Sequence, residues 1–368
     1  MVITRIPFPL FTPALKKIEE QKMTNIVYPN KEIIDKISLN LSKIKVCTIG
    51  DICLDFYLYA DMKLSELSRE TPHYPLPVVK EVASPGGGGN VINNIMALKP
   101  GKLTPVSIIG NDWRGFMLEK YFKDNGFDTS YILKSESFIT NCYCKPMRMG
   151  ISDVIYEDPR LDFENREPLG KSDEEKLIEA LDEAIEGANI LVVSDQMANG
   201  IITPAVRKRI SEIAEKIPVI VDSRDRAGLY ENVIVKPNEV EAAMLIGRNI
   251  KGLDLSTDEL VKIGVDLQKK NNRPVIVTLG SIGSLWCDDS GTYLAPTVKA
   301  EAPVDICGAG DTFMSAFACA YACGVKGQEA VAFANLASGV TVKKIGTTGT
   351  ASIEEINQKY SENFENDK

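Results

Sequence analysis

Two patterns of hydrophobic positions alternate along most of this chain, one typical of buried strands and one typical of amphipathic helices. Short runs of β-branched and other apolar residues, such as 44–50 and 275–278, predict buried strands. Segments in which apolar residues recur every three or four positions, such as 31–41, predict helices between them. The alternation indicates an α/β fold with a doubly wound, mainly parallel sheet and helices on both faces. Further strands are predicted at 104–110, 190–193, 218–221 and 233–235, and further helices at 114–125, 172–187, 203–216, 239–246, 257–269, 328–342 and 353–364.

Residues 58–82 do not follow this alternation of buried strands and helices, because polar and apolar residues alternate there and prolines recur. Proline is tolerated on edge strands, so this segment predicts a small β-sheet outside the main sheet, forming a lid. Residues 139–156 are rich in β-forming residues and predict two further strands. We expect an N-terminal extension over 1–30 and one main domain over 31–368, with the β-lid inserted from about 56–82 and 138–158.

Length, net charge and the absence of long apolar runs limit the classes of protein to which this chain could belong. The 368 residues could bury a large core as one α/β domain or as two domains. The net charge of −9 argues against a wide surface for nucleic acid. Prolines interrupt the apolar stretch Ile6–Leu15, which makes it a poor signal peptide, and no run is long enough to cross a membrane. We therefore expect a cytoplasmic protein that binds neither nucleic acid nor membranes.

Cysteine and histidine usage argues against metal-binding modules. The chain has eight cysteines without a C-x-x-C pair, and its single histidine is His73. This pattern excludes zinc-finger spacing and histidine-rich metal sites. Most of the cysteines lie in apolar runs, which favours reduced core thiols over disulfides.

A glycine-containing segment, 305–313, predicts a loop that turns directly into a helix. Gly308, Ala309 and Gly310 carry little or no side chain, so their backbone N–H groups can approach a ligand closely. These amides would lie at a helix N-terminus, where the helix dipole favours an anion. Asp311 is then either a charge complement to the helix or a base beside a reacting phosphate.

Other polar residues follow predicted strands at the end where open α/β sheets bind ligands. Asp51 and Asp55 follow the first strand, and the segments 238–241 and 278–283 follow two later strands. A second glycine-rich segment, 84–90, opens another predicted helix. In a doubly wound sheet the strand-end residues and Asp311 would face one crevice.

The chemistry that fits this set is phosphoryl transfer from a nucleotide to a hydroxyl. The sequence contains neither a G-x-x-x-x-G-K-[ST] loop nor a G-x-S-x-G elbow. Asp311 would accept the hydroxyl proton, and the amides of 308–310 would hold the charge that develops on the phosphoryl group. Asn238 and Glu241 would organise Mg²⁺ and its waters, since Mg²⁺ prefers oxygen ligands.

The same segments resemble the motifs of one enzyme family. Residues 305–313 resemble the C-terminal signature of the PfkB/ribokinase family of sugar kinases, and residues 84–90 resemble its N-terminal glycine signature. Residues 238–241 match its N-x-x-E motif, and residues 278–280 match its nucleotide-site strand end. The resemblance implies a ribokinase-like fold, a sugar substrate, ATP with Mg²⁺, and a homodimer formed through the β-lid. Three further segments are similar to the branch that phosphorylates heptose 7-phosphate at the anomeric position, namely 50–57, 68–80 and 160–164.

The resemblance also implies roles for individual residues. Asp311 would be the catalytic base, with Gly308, Ala309 and Gly310 as the anion hole. Asp305 and Gly346 would hold a monovalent cation, K⁺ in many members. The residues implied for sugar hydroxyls are Asp51, Asp55, Gly87, Gly88 and Asn90, and those implied for ATP are Asn238, Glu241, Thr278, Gly280, Gly283 and Asn335.

Three cations, Arg69, Lys145 and Arg148, are candidates for binding a phosphate on the substrate, because charge-assisted hydrogen bonds suit one. The alternative for Lys145 and Arg148 is a solvated strand face, and the alternative for Asn335 is a packed polar residue. Departures from the heptose branch include the Thr-Pro-His-Tyr segment 71–74. Two other functions therefore stay open: a PfkB-type kinase for another sugar or a nucleoside, and a non-catalytic sugar or nucleotide sensor.

Overall fold

The computed structural model describes residues 24–365 except 153, 251, 254, 299 and 347. Its helices are α1 (Lys31–Asn40), α2 (Gly88–Ala97), α3 (Trp113–Asp124), α4 (Lys171–Ala184), α5 (Pro204–Ile213), α6 (Glu239–Leu245), α7 (Thr257–Asn271), α8 (Ala309–Ala322), α9 (Gly327–Thr341) and α10 (Ile353–Phe364). Its strands are β1 (Asn25–Ile26), β2 (Lys45–Gly50), β3 (Ile52–Asp61), β4 (Val78–Gly87), β5 (Lys102–Gly110), β6 (Tyr131–Ser135), β7 (Asn141–Met149), β8 (Tyr156–Glu157), β9 (Leu161–Phe163), β10 (Ile190–Asp195), β11 (Val219–Ser223), β12 (Ile234–Val235), β13 (Val275–Thr278), β14 (Gly283–Asp288) and β15 (Gly291–Pro296).

A large sheet forms the centre of the described chain. Its strand order is β1, β15, β14, β13, β12, β11, β10, β2, β5, β6. Neighbours pair in parallel except at the hairpin of β13, β14 and β15. The predicted doubly wound, mainly parallel sheet is therefore confirmed.

Both faces of this sheet are covered by helices, which explains the continuous apolar runs of its strands. In β10, Ile190 and Val192 pack into the core beneath α1, α2, α8, α9 and α10. Their neighbours Leu191 and Val193 point the other way, into the core beneath α4, α5, α6 and α7. No helix among the described residues is both long and apolar enough to span a bilayer.

A smaller sheet extends from the end of β2. It has the strand order β4, β3, β7, β8, with β9 paired to β7. We call these five strands the lid. Phe56 on β3, Trp113 at the start of α3 and Phe163 on β9 attach the lid to the body through edge-to-face contacts with centroid distances of 5.6 and 6.5 Å. The predicted β-lid is confirmed as a second sheet.

Three expectations differ from the structure in detail. Residues 25–26, assigned to the extension, pair with β15 at the edge of the main sheet, while residues 1–23 lie outside the described residues. The two strands predicted across 139–156 are one nine-residue strand, β7, and the two-residue β8. The glycine segment 84–90 is divided, because β4 runs to Gly87 while pairing with β3, and α2 begins at Gly88 as predicted. Continuous pairing beside β3 extends these strands past the turn residues that local sequence suggested.

Candidate active site

Helix α8 begins at a glycine-dependent turn. Gly308 is its N-cap, with φ 75° and ψ 1°, a left-handed conformation that favours glycine. A Cβ atom there would lie 2.7 Å from Asn90 Nδ2. The amide of Ala309 donates to the carbonyl of Ile306 at 3.1 Å, so the loop itself uses one of the three amides predicted for the anion hole.

Asp311 lies in the first turn of α8 and contacts helix α2. Asn90 Nδ2 donates to its Oδ2 at 2.7 Å. Burial raises the pKa of Asp311 to about 6, the Asn90 hydrogen bond opposes that rise, and the charge of Asp222 adds to it. A carboxylate with this pKa is ionised at neutral pH and is a stronger base than an exposed aspartate.

A buried ion pair that we did not predict lies beside the same turn. Lys236 Nζ is 2.9 Å from the Asp222 carboxylate, and the lysine side chain is only 5% exposed. Burial alone would lower the pKa of Lys236, but Asp222 and, further away, Glu241 and Asp311 raise it. The lysine is therefore protonated. It lies close to the anion loop, because a Cβ atom added to Gly310 would be 3.8 Å from Lys236 Nζ. Asp222 is the second-last residue of β11 and Lys236 directly follows β12, so the strand-end rule could have found them.

Asp51 is committed to backbone hydrogen bonds. Its carboxylate accepts from the amides of Gln196 and Met197 at 3.0 and 2.8 Å, and from Ile201 at 2.8 Å. Burial raises its pKa to about 6 in spite of these bonds. The Gly88 amide donates to the Asp51 carbonyl at 2.7 Å. Asp51 thus holds the loop after β10, and its predicted contact with sugar hydroxyls stays a prediction.

Asp55 lies on the lid against the glycine segment. A Cβ atom on Gly86 would lie 2.4 Å from its carboxylate. Lys145 Nζ pairs with Asp55 at 3.0 Å and donates to the Tyr57 hydroxyl at 3.0 Å. The Asp55 charge also contributes to the raised pKa of Asp311, so the two carboxylates are close enough to interact electrostatically. The structure therefore brings together Asp55, Asn90 and Asp311 from the predicted set.

The three cations predicted for a substrate phosphate do not converge. Lys145 has its carboxylate partner on β3, whereas Arg148 pairs with Asp158 further along the lid. Arg69 is exposed in the loop between β3 and β4. Since the lid strands alternate their side chains, Lys145 and Arg148 point to opposite faces of β7.

A cavity of about 510 Å³ lies on the other side of the α8 turn. Asn238, Thr278, Gly280, Gly283 and Asn335, five of the six residues predicted for the nucleotide, line it. Its volume is typical of a small-molecule or cofactor pocket. The other lining residues include apolar side chains and the backbone of the anion loop (Val298, Val304, Ile306, Ala309, Gly310, Phe313 and Val342) and the polar residues Glu239, Ser281, Thr297 and Ser338.

Asn335 itself is held in place by packing. Its amide donates to the Ala295 carbonyl at 2.7 Å, and its oxygen accepts from Ser284 at 3.2 Å. Both of its polar ends therefore have protein partners, as the packed-residue interpretation predicts. It shapes the cavity wall through a fixed side chain.

The residues predicted to organise metal ions are engaged in local hydrogen bonds. Asn238 caps α6 by accepting from the Val240 and Glu241 amides, and Glu241 accepts from the Asn238 amide at 2.9 Å. Asp305 accepts from the amides of Cys307 and Gly346, both at 3.0 Å, which joins the two loops predicted to hold a monovalent cation. Across the described ranges, no group of three His, Cys, Asp or Glu side chains could hold a metal ion.

The sequence and the fold of this chain are similar to those of known proteins. The family model described as pfkB family carbohydrate kinase matches residues 43–354. "Bifunctional protein HldE" of Trichlorobacter lovleyi is 31% identical over 328 residues, which cover 87% of this chain but only 63% of that protein. The ribokinase-like fold is shared with Escherichia coli phosphofructokinase-2 in complex with substrates and products (TM-score 0.67, 21% identity, 87% of this chain and 99% of that one). It is also shared with Arabidopsis thaliana ribokinase complexed with ribose and ATP (TM-score 0.61, 20% identity, 86% and 98%). With its family motifs in order and its site assembled around Asp311, this chain belongs to the pfkB family of carbohydrate kinases.

Proposed function

We propose that this sugar kinase transfers the γ-phosphoryl group of ATP to the anomeric hydroxyl of a heptose 7-phosphate. The observation that carries the reaction is the position of Asp311, against Asn90 on one side and beside the cavity lined by Gly310 on the other. The choice of sugar is supported by the similarity to Bifunctional protein HldE over 87% of the chain. The segments 50–57, 68–80 and 160–164, which resemble the heptose branch, support the same choice.

Each residue near the α8 turn has a task in this reaction. Asp311 accepts the proton of the attacking hydroxyl, because its pKa of about 6 leaves it ionised at neutral pH. Asn90 keeps the carboxylate oriented through its 2.7 Å hydrogen bond. Lys236 supplies positive charge where negative charge develops in the transition state. Asp55 and the glycine segment hold the sugar.

The cavity of about 510 Å³ would bind the nucleotide and its metal ion. Membership of a kinase family implies ATP use, typically with Mg²⁺, which neutralises the phosphate charges when it is bound. Asn238, Thr278, Gly280, Gly283 and Asn335 would contact the nucleotide. Glu241 would orient metal-bound water, with Asp305 and Gly346 joining the loops around a K⁺ ion.

A kinase for another sugar is the second candidate. It is favoured by one observation, that Lys145 and Arg148 both carry carboxylate partners and are not available as free cations for a phosphate. A nucleoside acceptor would need stacking aromatics. On the lid, Tyr57 and Tyr59 instead stack with Lys145 and Lys80 at 4.6 and 5.2 Å.

An ADP-release assay over a panel of acceptors tests the proposal. The panel contains D-glycero-D-manno-heptose 7-phosphate, unphosphorylated heptose, fructose 6-phosphate, ribose and adenosine. We expect the highest kcat/KM with the heptose 7-phosphate. Faster turnover of another acceptor would reassign the sugar, and binding without any turnover by folded protein would identify a sensor.

The rate should fall on the acid side of neutrality. Because Asp311 must be ionised to accept a proton, kcat/KM is expected to decrease about tenfold per pH unit below about pH 6. Asp51 titrates in the same range but holds a loop, so its protonation should show as a change in thermal stability. A profile without an acid limb between about pH 5 and 8 would contradict the role of Asp311.

The lid is proposed to pair two subunits. Exposed apolar side chains are concentrated on it, including Val78 and Val79, which are 43% and 49% exposed. We expect a dimer in sedimentation velocity and a monomer for the Val79→Lys variant. A monomeric wild-type protein would contradict the proposal. The related phosphofructokinase-2 has been described in a tetrameric inhibited form.

The state of the cysteines supports a proposal for the cellular compartment. All eight cysteines are free, and seven of them are buried. Free thiols persist in reducing compartments, which supports a cytoplasmic location.

A further inference from the structure

A second, smaller cavity lies between the lid and the main sheet on the acceptor side. It has a volume of about 150 Å³ and is formed by β7, the segment after β9, and the loops after β10 and β11. Asn141, Tyr143, Gln196, Asn199 and Arg224 are among its walls. Amides, a phenol and a guanidinium are groups that bind hydroxyls and phosphates.

The cavity is joined to the catalytic site through its own wall residues. Gln196 donates its backbone amide to Asp51 and its side-chain amide to the Asp222 carbonyl at 3.2 Å. Asp222 is the partner of Lys236, and Arg224 follows it by two residues. The charge of Arg224 is also felt by Tyr143 on the lid and by Glu241. An acceptor with one end at Asp311 could therefore run along the end of β11 toward Arg224.

The cations around this cleft differ in whether a carboxylate already neutralises them. Lys145 pairs with Asp55, Lys236 with Asp222, and Arg226 with Asp195. Arg160 forms a two-pronged pair with Asp162 at 2.6 and 2.7 Å and covers the Tyr143 ring. Within the described part of the chain, the exposed guanidinium of Arg224 has no hydrogen-bond or ion-pair partner.

We propose that Arg224 binds the phosphate group that the acceptor sugar carries, at the end distant from the hydroxyl that is phosphorylated. The inference rests on the proposed function, since it assumes a sugar phosphate as acceptor. A guanidinium presents two parallel N–H groups that match two phosphate oxygens, and it stays charged at every physiological pH. Of the cations that the sequence suggests for this role, Lys145 and Arg148 already have carboxylate partners, and Arg69 lies in the exposed loop between β3 and β4.

The carboxylates of the cavity limit where the phosphate sits. Glu164 and Asp225 also line it and would repel a dianion. They are suited to accept hydrogen bonds from sugar hydroxyls, as are the amide oxygens beside them. The polyol part of the acceptor therefore lies in the cavity, while its phosphate lies at the exposed guanidinium of Arg224.

The test compares Arg224→Ala with Arg224→Lys and with Arg69→Ala, a matched removal of an exposed cation on the lid. For Arg224→Ala we expect KM for heptose 7-phosphate to rise about ten- to a hundredfold with kcat little changed, as for loss of a charge-assisted hydrogen bond. Arg224→Lys should recover part of the loss, and Arg69→Ala should behave as wild type. Dissociation constants for heptose 7-phosphate and for unphosphorylated heptose, measured by calorimetry, should show that Arg224→Ala weakens only the former.

The wild-type protein separates the two ways in which this could fail. If wild type prefers heptose 7-phosphate to heptose and Arg224→Ala keeps that preference, the assignment of Arg224 is overturned while the proposed function stands. If wild type turns over sugars but shows no preference for the phosphorylated one, the sugar-phosphate acceptor and the role of Arg224 both fail. Unchanged ATP affinity and melting temperature in Arg224→Ala establish that the variant is folded.

Discussion

Replacing Asp311 with asparagine is expected to lower kcat by about a hundred- to ten-thousandfold, the usual contribution of a positioned general base. Asparagine keeps the size of the side chain and can still contact Asn90, but it cannot accept the hydroxyl proton. Sugar and ATP affinities should therefore change little. Steady-state kinetics with equilibrium binding of both substrates checks this, and a variant with wild-type kcat would remove Asp311 from the role of base.

The same variant should be more stable than wild type. A loss of activity in this variant could then not be explained by unfolding. The pKa of Asp311 in the folded protein, about 6, lies above its ordinary value of 3.8. The ionised form therefore destabilises the fold, by roughly 3 kcal/mol above pH 6, and this effect vanishes as the pH falls toward 4. Denaturant unfolding at pH 8 and pH 4 should show the asparagine variant gaining most at pH 8.

Replacing Lys236 with methionine should also lower kcat by about a hundredfold or more, because a buried positive charge beside the anion loop would be lost. The pH profile provides a second readout. Lys236 lowers the pKa of Asp311, so its removal should move the acid limb to higher pH. An unmoved acid limb with normal turnover would show that Lys236 is only a structural partner of Asp222.

A double variant separates charge from folding in that experiment. Lys236→Met alone leaves the Asp222 carboxylate without its partner, a defect that costs about 3–5 kcal/mol in buried pairs. Adding Asp222→Asn removes the uncompensated charge and should restore much of the free energy of unfolding. We expect the double variant to stay nearly inactive, since stability returns without the positive charge.

The turn at the start of α8 shows how much of the structure can be predicted from local sequence. Gly308 and Asp311 were predicted from a glycine-rich loop that runs into a helix, and the structure has that turn with Gly308 at φ 75°. Five of the six predicted nucleotide residues line one cavity, and Asn238, Thr278 and Gly280 do so because the carboxyl ends of neighbouring strands share one edge of the sheet. Local patterns of this kind depend on backbone geometry that nearby residues largely determine.

The ion pairs could not be predicted from local sequence. Nothing near Lys145 in sequence indicates that Asp55, 90 positions earlier, neutralises it. In the sequence Asp51 and Asp55 look alike as residues that follow a strand, yet Asp51 binds three backbone amides and Asp55 pairs with Lys145. Asp222 and Lys236 form a pair only because β11 and β12 are neighbours in the sheet.

Sequence by itself therefore determined most of the strand and helix pattern, the order of the family motifs and the carboxylate proposed as the base, because each depends on residues close together along the chain. Tertiary structure decided which charges are neutralised and which are free, because ion pairs form between residues that are distant in sequence. Arg224 illustrates the difference. In the sequence it is one cation among 42, and in the fold it is an exposed guanidinium without a carboxylate partner among the described residues, at the wall of the cavity that we propose for the acceptor.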